Sequence, residues 1–202
     1  MDLDGPEAQD ESSVPFQTGE LSYPEETDRL ARTAQAITKR ILRYHGSAVS
    51  DQHDQLLLDL QALFTFIAND HDDGRYVFDM PTGGGKTTAA VAFAKAVVHF
   101  GPSDWSMAIC AGQVADLIDI KKQLRSDPYP VPEDAIGLWH AKTNASEPPT
   151  FSKHDSERYG ECRILLTTHS RAQRRGETSA ALRYRGRPRN LVVYDESLIT
   201  RG

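Results

Sequence analysis

The chain has 202 residues and a formal net charge of −6, which suits one α/β domain with a polar extension. No apolar run reaches the ~18 residues of a transmembrane helix, and the acidic N-terminus lacks the apolar stretch of a secretory signal. The two cysteines, Cys110 and Cys162, indicate neither a disulfide framework nor a zinc site. We therefore expect no membrane span and a location in the reducing cytoplasm.

Residues 1–26 predict a disordered acidic tail, because large apolar side chains are too few to offset the entropy of ordering. Residues 1–28 contain nine acidic and no basic residues, which leaves 23 basic and 20 acidic residues in the rest of the chain. The negative charge therefore belongs to the tail and not to the domain predicted over residues 27–202. The tail is either a solvated leader without a specific role or a shield for a basic groove.

Two amphipathic helices are predicted next, over residues 27–44 and about 50–69. Apolar side chains recur in both at intervals of three and four residues, as Leu57, Leu60 and Phe64 do in the second. Such stripes indicate helices that pack with one face on a core.

The sequence RYVFDMPTGGGKTTAAV, residues 75–91, predicts a phosphate-binding loop between a buried strand at 76–78 and a helix at 86–100. Glycines let backbone N–H groups converge on an anion, and the helix N-terminus adds a partial positive charge. The alternative is a purely structural glycine-rich turn before a helix. The residues predicted to bind a nucleotide here are Pro81, Thr82, Gly83, Gly84, Gly85, Lys86, Thr87 and Thr88.

The rest of the chain alternates apolar runs with helical patterns, which predicts a mainly parallel sheet with helices on both faces. Ligands of such sheets bind at the C-terminal ends of the strands. His140, at one such end, is either a phosphate or base contact or a capping or solvated histidine. Strands are predicted at residues 106–111, 135–140, 163–168 and 191–194, a helix at 114–124, a proline-rich connection at 127–134 and a polar loop at 142–159.

Two carboxylates, Asp195 and Glu196, follow the last predicted strand. In P-loop ATPases an acid at this position holds Mg²⁺, and a neighbouring acid can deprotonate the attacking water. Lys86, Asp195 and Glu196 are therefore the candidate catalytic residues, and Thr87 with Asp195 the candidate metal ligands. A lone acid pair could instead cap the next element.

Hydroxyls and arginines at the end of the 163–168 strand suit nucleic-acid phosphates. The seven arginines among residues 171–189 are opposed by one acidic residue, Glu177, so they are either further nucleic-acid contacts or a solvated loop. An anionic protein is a third candidate partner. The predicted nucleic-acid contacts are Thr168, His169, Arg171, Arg174 and Arg175.

MPTGGGKT at residues 80–87 and DES at 195–197 resemble motifs I and II of superfamily 2 DEAD/DEAH-like helicases, the first being similar to its form in RecQ-like members. Met80 stands where the strict phosphate-loop pattern has glycine. The resemblance covers residues 50–202 and implies the first RecA-like domain of a helicase, with ATP, Mg²⁺ and DNA or RNA as ligands. It also implies an adenine-reading glutamine, either Gln52 or Gln55.

Motif Ia is less similar, since Ala111 and Gly112 replace its usual Pro-Thr pair. The resemblance also implies a second RecA-like domain, or a partner protein, that supplies an arginine finger. We therefore expect a domain truncated after motif II, which binds ATP weakly, hydrolyses it slowly or not at all, and does not unwind duplexes alone. The alternative is a non-catalytic nucleic-acid-binding or regulatory P-loop protein; a small-molecule kinase is disfavoured.

Overall fold

The computed structural model describes residues 25–70, 76–81, 83–141, 145–175 and 180–195. The α-helices are α1 Glu25–Tyr44, α2 Asp51–Asp70, α3 Lys86–Phe100, α4 Val114–Arg125 and α5 His169–Arg175. The strands are β1 Met107–Ala111, β2 Ile136–Trp139, β3 Ile164–Thr168, β4 Arg183–Tyr184, β5 Arg187–Pro188 and β6 Leu191–Tyr194. Short 3₁₀ segments occupy Glu133–Ala135, Lys153–Glu161 and Ala180–Leu182. The predicted acidic tail lies outside the described residues, except that Glu25 and Glu26 begin α1.

Four strands form a parallel sheet in the order β2-β3-β1-β6. β1 lies inside the sheet, pairing Met107 with Ile164 of β3 on one edge and with Leu191 of β6 on the other. Parallel strands are buried on both faces, which explains their nearly continuous apolar sequences. The predicted α/β fold with a parallel sheet is confirmed.

Alternate residues of β1 enter two separate cores. Met107 and Ile109 pack in the larger core, which α1, α2, α3 and α4 cover. Ala108 packs on the opposite face, where Tyr159 and the 3₁₀ segments cover the sheet. Tyr159 donates a hydrogen bond to the Leu138 carbonyl at 3.1 Å, so this ring is fixed inside a segment predicted to be a polar loop.

The predicted strand at residues 76–78 is wrong. These residues lie outside the strands of both sheets, and the Val77 side chain is 95% exposed. A strand needs a neighbour for its N–H and C=O groups, and among the described residues β1 is paired on both edges while none pairs with the outer edge of β6. The local apolar sequence predicted a strand, but residues 76–78 form no ladder with the sheet, although the outer edge of β6 is open among the described residues.

Part of the predicted basic run is internal structure and not a solvated or nucleic-acid-binding loop. Arg189 is buried, and its guanidinium donates to the carbonyls of Tyr159 at 2.8 Å and Cys162 at 2.9 Å. Burial lowers the pKa of Arg189 to about 10. Arg163 likewise donates to the carbonyls of Val98 and Gly101 and so satisfies the C-terminal end of α3.

A buried lysine holds the loop between α4 and β2. Lys95 lies inside α3 with no exposed surface, and its ammonium donates to the carbonyls of Ser126 at 2.5 Å and Pro128 at 2.9 Å. The next residue, Tyr129, has a φ of 56°, which a non-glycine residue rarely adopts. The loop is therefore fixed by a desolvated cation and carries a strained residue at its tip.

We predict a distinct pH dependence of stability from Lys95. Burial lowers its pKa from 10.5 to about 8, so the unfolded chain binds more protons than the folded chain between these values. Stability therefore rises with pH across this interval, and the charge penalty is complete below it. The wild type should gain roughly 3 kcal/mol of unfolding free energy over Lys95→Met as this interval is crossed.

Urea unfolding at a series of pH values measures this difference. Lys122→Met is the matched control, because it removes an exposed lysine and keeps Lys95, so its stability should follow the same pH dependence as the wild type. A difference between wild type and Lys95→Met that stays constant with pH would contradict the prediction.

Candidate nucleotide-binding site

The glycine loop before α3 has a conformation that other residues would disturb. Gly83 and Gly85 have φ values of 80° and 88°, in the left-handed region. A Cβ on Gly84 would lie 2.9 Å from the Pro81 carbonyl oxygen, which accepts the Gly84 N–H at 2.9 Å. The three glycines therefore allow a tight turn at the start of the helix, which residues with a Cβ would strain.

The N-terminus of α3 keeps donors available for an anion. Gly85 is its N-cap, and no side chain caps the helix. Lys86, Thr87 and Thr88 occupy the first turn and are partly buried. The start of α3 thus combines backbone N–H groups, the positive end of the helix dipole and Lys86. We call this arrangement, which suits phosphate groups, the cradle.

Asp195 lies directly against this cradle. The Thr87 hydroxyl donates to the Asp195 carboxylate at 2.5 Å, although 108 residues separate the two in sequence. The Asp195 N–H donates to the Cys110 carbonyl at 2.8 Å, which continues the pairing of β6 with β1. The fold thus brings together the two residues predicted as metal ligands.

A hydroxyl and a carboxylate are suitable ligands for Mg²⁺. This ion is bound by oxygen at about 2.1 Å in octahedral geometry, which puts adjacent ligand oxygens ~3 Å apart. The 2.5 Å between the Thr87 and Asp195 oxygens would widen only slightly to admit it. The donor set therefore fits the metal, with water and phosphate oxygens as the remaining ligands.

The matching family is the type III restriction enzyme, res subunit, whose model matches residues 28–197. The chain belongs to this family. As a res-subunit domain it is a superfamily 2 helicase-like ATP-binding domain, a class that generally uses ATP and Mg²⁺ and binds nucleic acid. No curated protein and no solved structure matches the chain. Within the described residues, no helix is long and apolar enough to cross a membrane.

His53 of α2 contacts the glycine loop of this res-subunit domain. This residue was not identified from the sequence. Its Nε2 lies 2.8 Å from the Gly84 carbonyl oxygen. His53 lies four residues before Leu57, on the apolar stripe of α2, and this spacing was the signal that could have identified it. Leu42 of α1 packs behind Gly85, so both upstream helices support the loop.

The two candidate adenine readers, Gln52 and Gln55, are exposed on α2. Gln55 donates to the Asp59 carboxylate at 2.8 Å, and neither glutamine has a described contact with the loop. A role for either one stays a prediction. His140 is buried and lies 3.1 Å from the Glu147 carbonyl oxygen, so it is neither a solvated nor a surface phosphate-binding histidine.

The predicted nucleic-acid residues begin at the end of β3, on the same edge of the sheet as Asp195. His169 Nε2 lies 2.9 Å from the Cys110 carbonyl oxygen, the same oxygen that accepts the Asp195 N–H. The His169 ring also packs on Tyr194, with centroids 5.6 Å apart. A carbonyl of β1 thus connects the start of α5 with the strand end that carries Asp195.

The other predicted site residues are more dispersed. Thr168 is partly buried with its hydroxyl 3.4 Å from that of Ser170, and Arg171 stacks over Trp139 at 4.6 Å. Arg174 is exposed on α5. Three predicted positions lie outside what the structure describes: Thr82, Glu196 and the side chain of Arg175.

We predict that His53 tunes nucleotide affinity by fixing the Gly84 carbonyl. His53→Ala should weaken binding of a fluorescent ATP analogue about fivefold, since one hydrogen bond contributes about 1 kcal/mol. His53→Gln keeps an amide donor and should recover part of the loss. His45→Ala is the control because His45 is exposed on the turn after α1. Equal affinities for wild type and His53→Ala would disprove this role.

Proposed function

We propose that this chain is the Mg²⁺-dependent ATP-binding module of a superfamily 2 nucleic-acid helicase or translocase. The observation that carries the proposal is the contact between Thr87 and Asp195 at the mouth of the glycine loop. A nucleoside triphosphate with its metal needs phosphate-binding donors next to an acidic metal ligand. Both kinds of group lie together at this point. The Pro81–Thr82 start of the loop supports the finer likeness to DEAD/DEAH-like and RecQ-like members.

Each residue of the site has a distinct proposed role. Lys86 and the N–H groups of the loop bind the phosphates, while Thr87 and Asp195 hold Mg²⁺. The metal would neutralise charge on the phosphate oxygens. By resemblance, Glu196 orients and deprotonates the attacking water. An arginine from a second RecA-like domain or a partner protein would complete the site.

DNA or RNA is the proposed polymer, contacted by the segment from Thr168 to Arg175. Hydroxyls and arginines there suit phosphate oxygens and carry no sequence preference. The two hydrogen bonds to the Cys110 carbonyl, from His169 and from the Asp195 N–H, support a coupling between polymer and nucleotide. Movement of His169 on polymer binding would change the surroundings of Asp195.

Lys86→Ala tests nucleotide binding directly. A lysine–phosphate hydrogen bond contributes about 1.5–3 kcal/mol, so affinity for a fluorescent ATP analogue should fall roughly 10- to 100-fold. Lys122→Ala removes an exposed lysine from α4 and serves as the matched control. Unchanged binding in Lys86→Ala would refute the assignment of the loop.

Turnover measured with and without single-stranded DNA separates an ATPase from a binding protein. If the chain hydrolyses ATP, Glu196→Gln should abolish the activity while leaving ATP bound. DNA binding without any turnover of ATP would instead support a non-catalytic nucleic-acid-binding protein.

A further inference from the structure

A groove of about 560 Å³ runs along α1, outside the candidate nucleotide site. Its lining includes Arg29, Arg32, Thr33 and Arg40 on α1, with Tyr129 from the loop between α4 and β2. A second cavity of about 500 Å³ shares Arg29 and Thr33 and adds Phe100 at the end of α3. We call this continuous surface the α1 groove. The 15 residues of α3 place its Phe100 end ~20 Å from Lys86.

The charge of the α1 groove is positive. Arg32 is paired with Asp28 at 2.8 Å, whereas Arg29 and Arg40 have no ion pair or side-chain hydrogen bond among the described residues. Arg40 lies 11 residues after Arg29, which is about 16 Å along the helix. Asp127 is a further acid, exposed in the loop that carries Tyr129. Glu25 and Glu26 begin α1 four and three residues before Arg29. Two spaced guanidinium groups thus remain available for an elongated anion.

Exposed aromatic rings form the opposite wall. Tyr129 is 42% exposed and Phe100 is 47% exposed, and their rings meet edge to face with centroids 5.2 Å apart. His99 lies against Tyr129 with centroids 5.8 Å apart, and its Nε2 is 3.2 Å from the Pro130 carbonyl oxygen. An aromatic cluster that is held in place yet keeps open ring surface is suited to stacking with a flat partner.

The loop that carries Tyr129 is held in a costly conformation. The φ of 56° strains the backbone at Tyr129, and the buried ammonium of Lys95 fixes the carbonyls of Ser126 and Pro128 just before it. Such strain persists only where the surroundings determine it, and it is concentrated at binding sites. The ring is therefore positioned before any ligand arrives.

We propose that the α1 groove binds single-stranded nucleic acid, with Arg29 and Arg40 contacting phosphates and Tyr129 stacking on a base. A basic groove beside aromatic platforms is the arrangement with which proteins bind single strands without sequence preference. An acidic peptide would use the arginines but leaves the exposed rings of Tyr129 and Phe100 unexplained. This site is independent of nucleotide and separate from the segment after β3.

Anisotropy of a labelled 20-nucleotide oligothymidine, titrated in the absence of nucleotide, tests the proposal. Tyr129→Asn removes the ring and suits the positive φ, so the loop should keep its shape. We expect affinity to fall about tenfold with loss of the stacked base. Arg29→Ala combined with Arg40→Ala should lower the salt slope by about 1.4, since each phosphate contact on a single strand contributes about 0.7.

Three controls separate this site from the proposed nucleotide site. Arg43→Ala removes the same charge from the exposed C-terminal end of α1, outside the groove, and should leave binding close to that of the wild type. Lys86→Ala should leave ATP-free oligonucleotide binding intact, and the groove variants should bind the ATP analogue normally. Photo-crosslinking of a 5-iodouracil oligonucleotide should give adducts on Tyr129 or Phe100.

Two results would overturn the proposal. One is wild-type affinity and salt slope in both groove variants, with crosslinks confined to residues 168–175. The other is groove-dependent binding of polyglutamate without binding of the oligonucleotide, which would identify the α1 groove as a site for an acidic protein segment.

Discussion

The hydrogen bond between Thr87 and Asp195 is the contact that holds the candidate nucleotide-binding site together. It joins the first turn of α3 to the end of β6, two places that belong to different layers of the fold. Asp195 is held there because its N–H continues the β1–β6 ladder through the Cys110 carbonyl. His169 reaches the same carbonyl from the other side of β1, so three elements meet at one backbone oxygen.

Buried and half-buried cations fix several loops and helix ends by hydrogen bonding to backbone carbonyls. Arg189 gathers the carbonyls around Tyr159 and Cys162, Arg163 satisfies the end of α3, and Lys95 holds the loop before Tyr129. Buried charges are costly unless their donors find partners, and carbonyl oxygens at loop and helix ends supply most of these. The Nε of Arg189 is buried without a partner among the described residues. Some basic residues of this chain are therefore internal anchors, while others are exposed on the surface.

The sequence predicted most of the sheet and helices because their apolar periodicities are local. The helices α1 to α4 and the four sheet strands all fall within a few residues of their predicted bounds. The strand at residues 76–78 failed because strand pairing depends on a neighbour that a local pattern does not reveal. For the same reason the sequence did not reveal that Arg189 is buried, because its burial depends on contacts with Tyr159 and Ala181. The position of His53 could have been predicted from the sequence, because it continues the apolar stripe of α2.

The central claim is that Thr87 and Asp195 hold a divalent metal only together with a bound nucleoside triphosphate. Electron paramagnetic resonance of Mn²⁺, a spin-active substitute for Mg²⁺, measures this directly in the intact chain. We expect Mn²⁺ to be retained when ATP is added, with coupling to the phosphorus nuclei, and to be lost in Asp195→Asn. Retention of Mn²⁺ without ATP, or equal retention by wild type and Asp195→Asn, would contradict the claim.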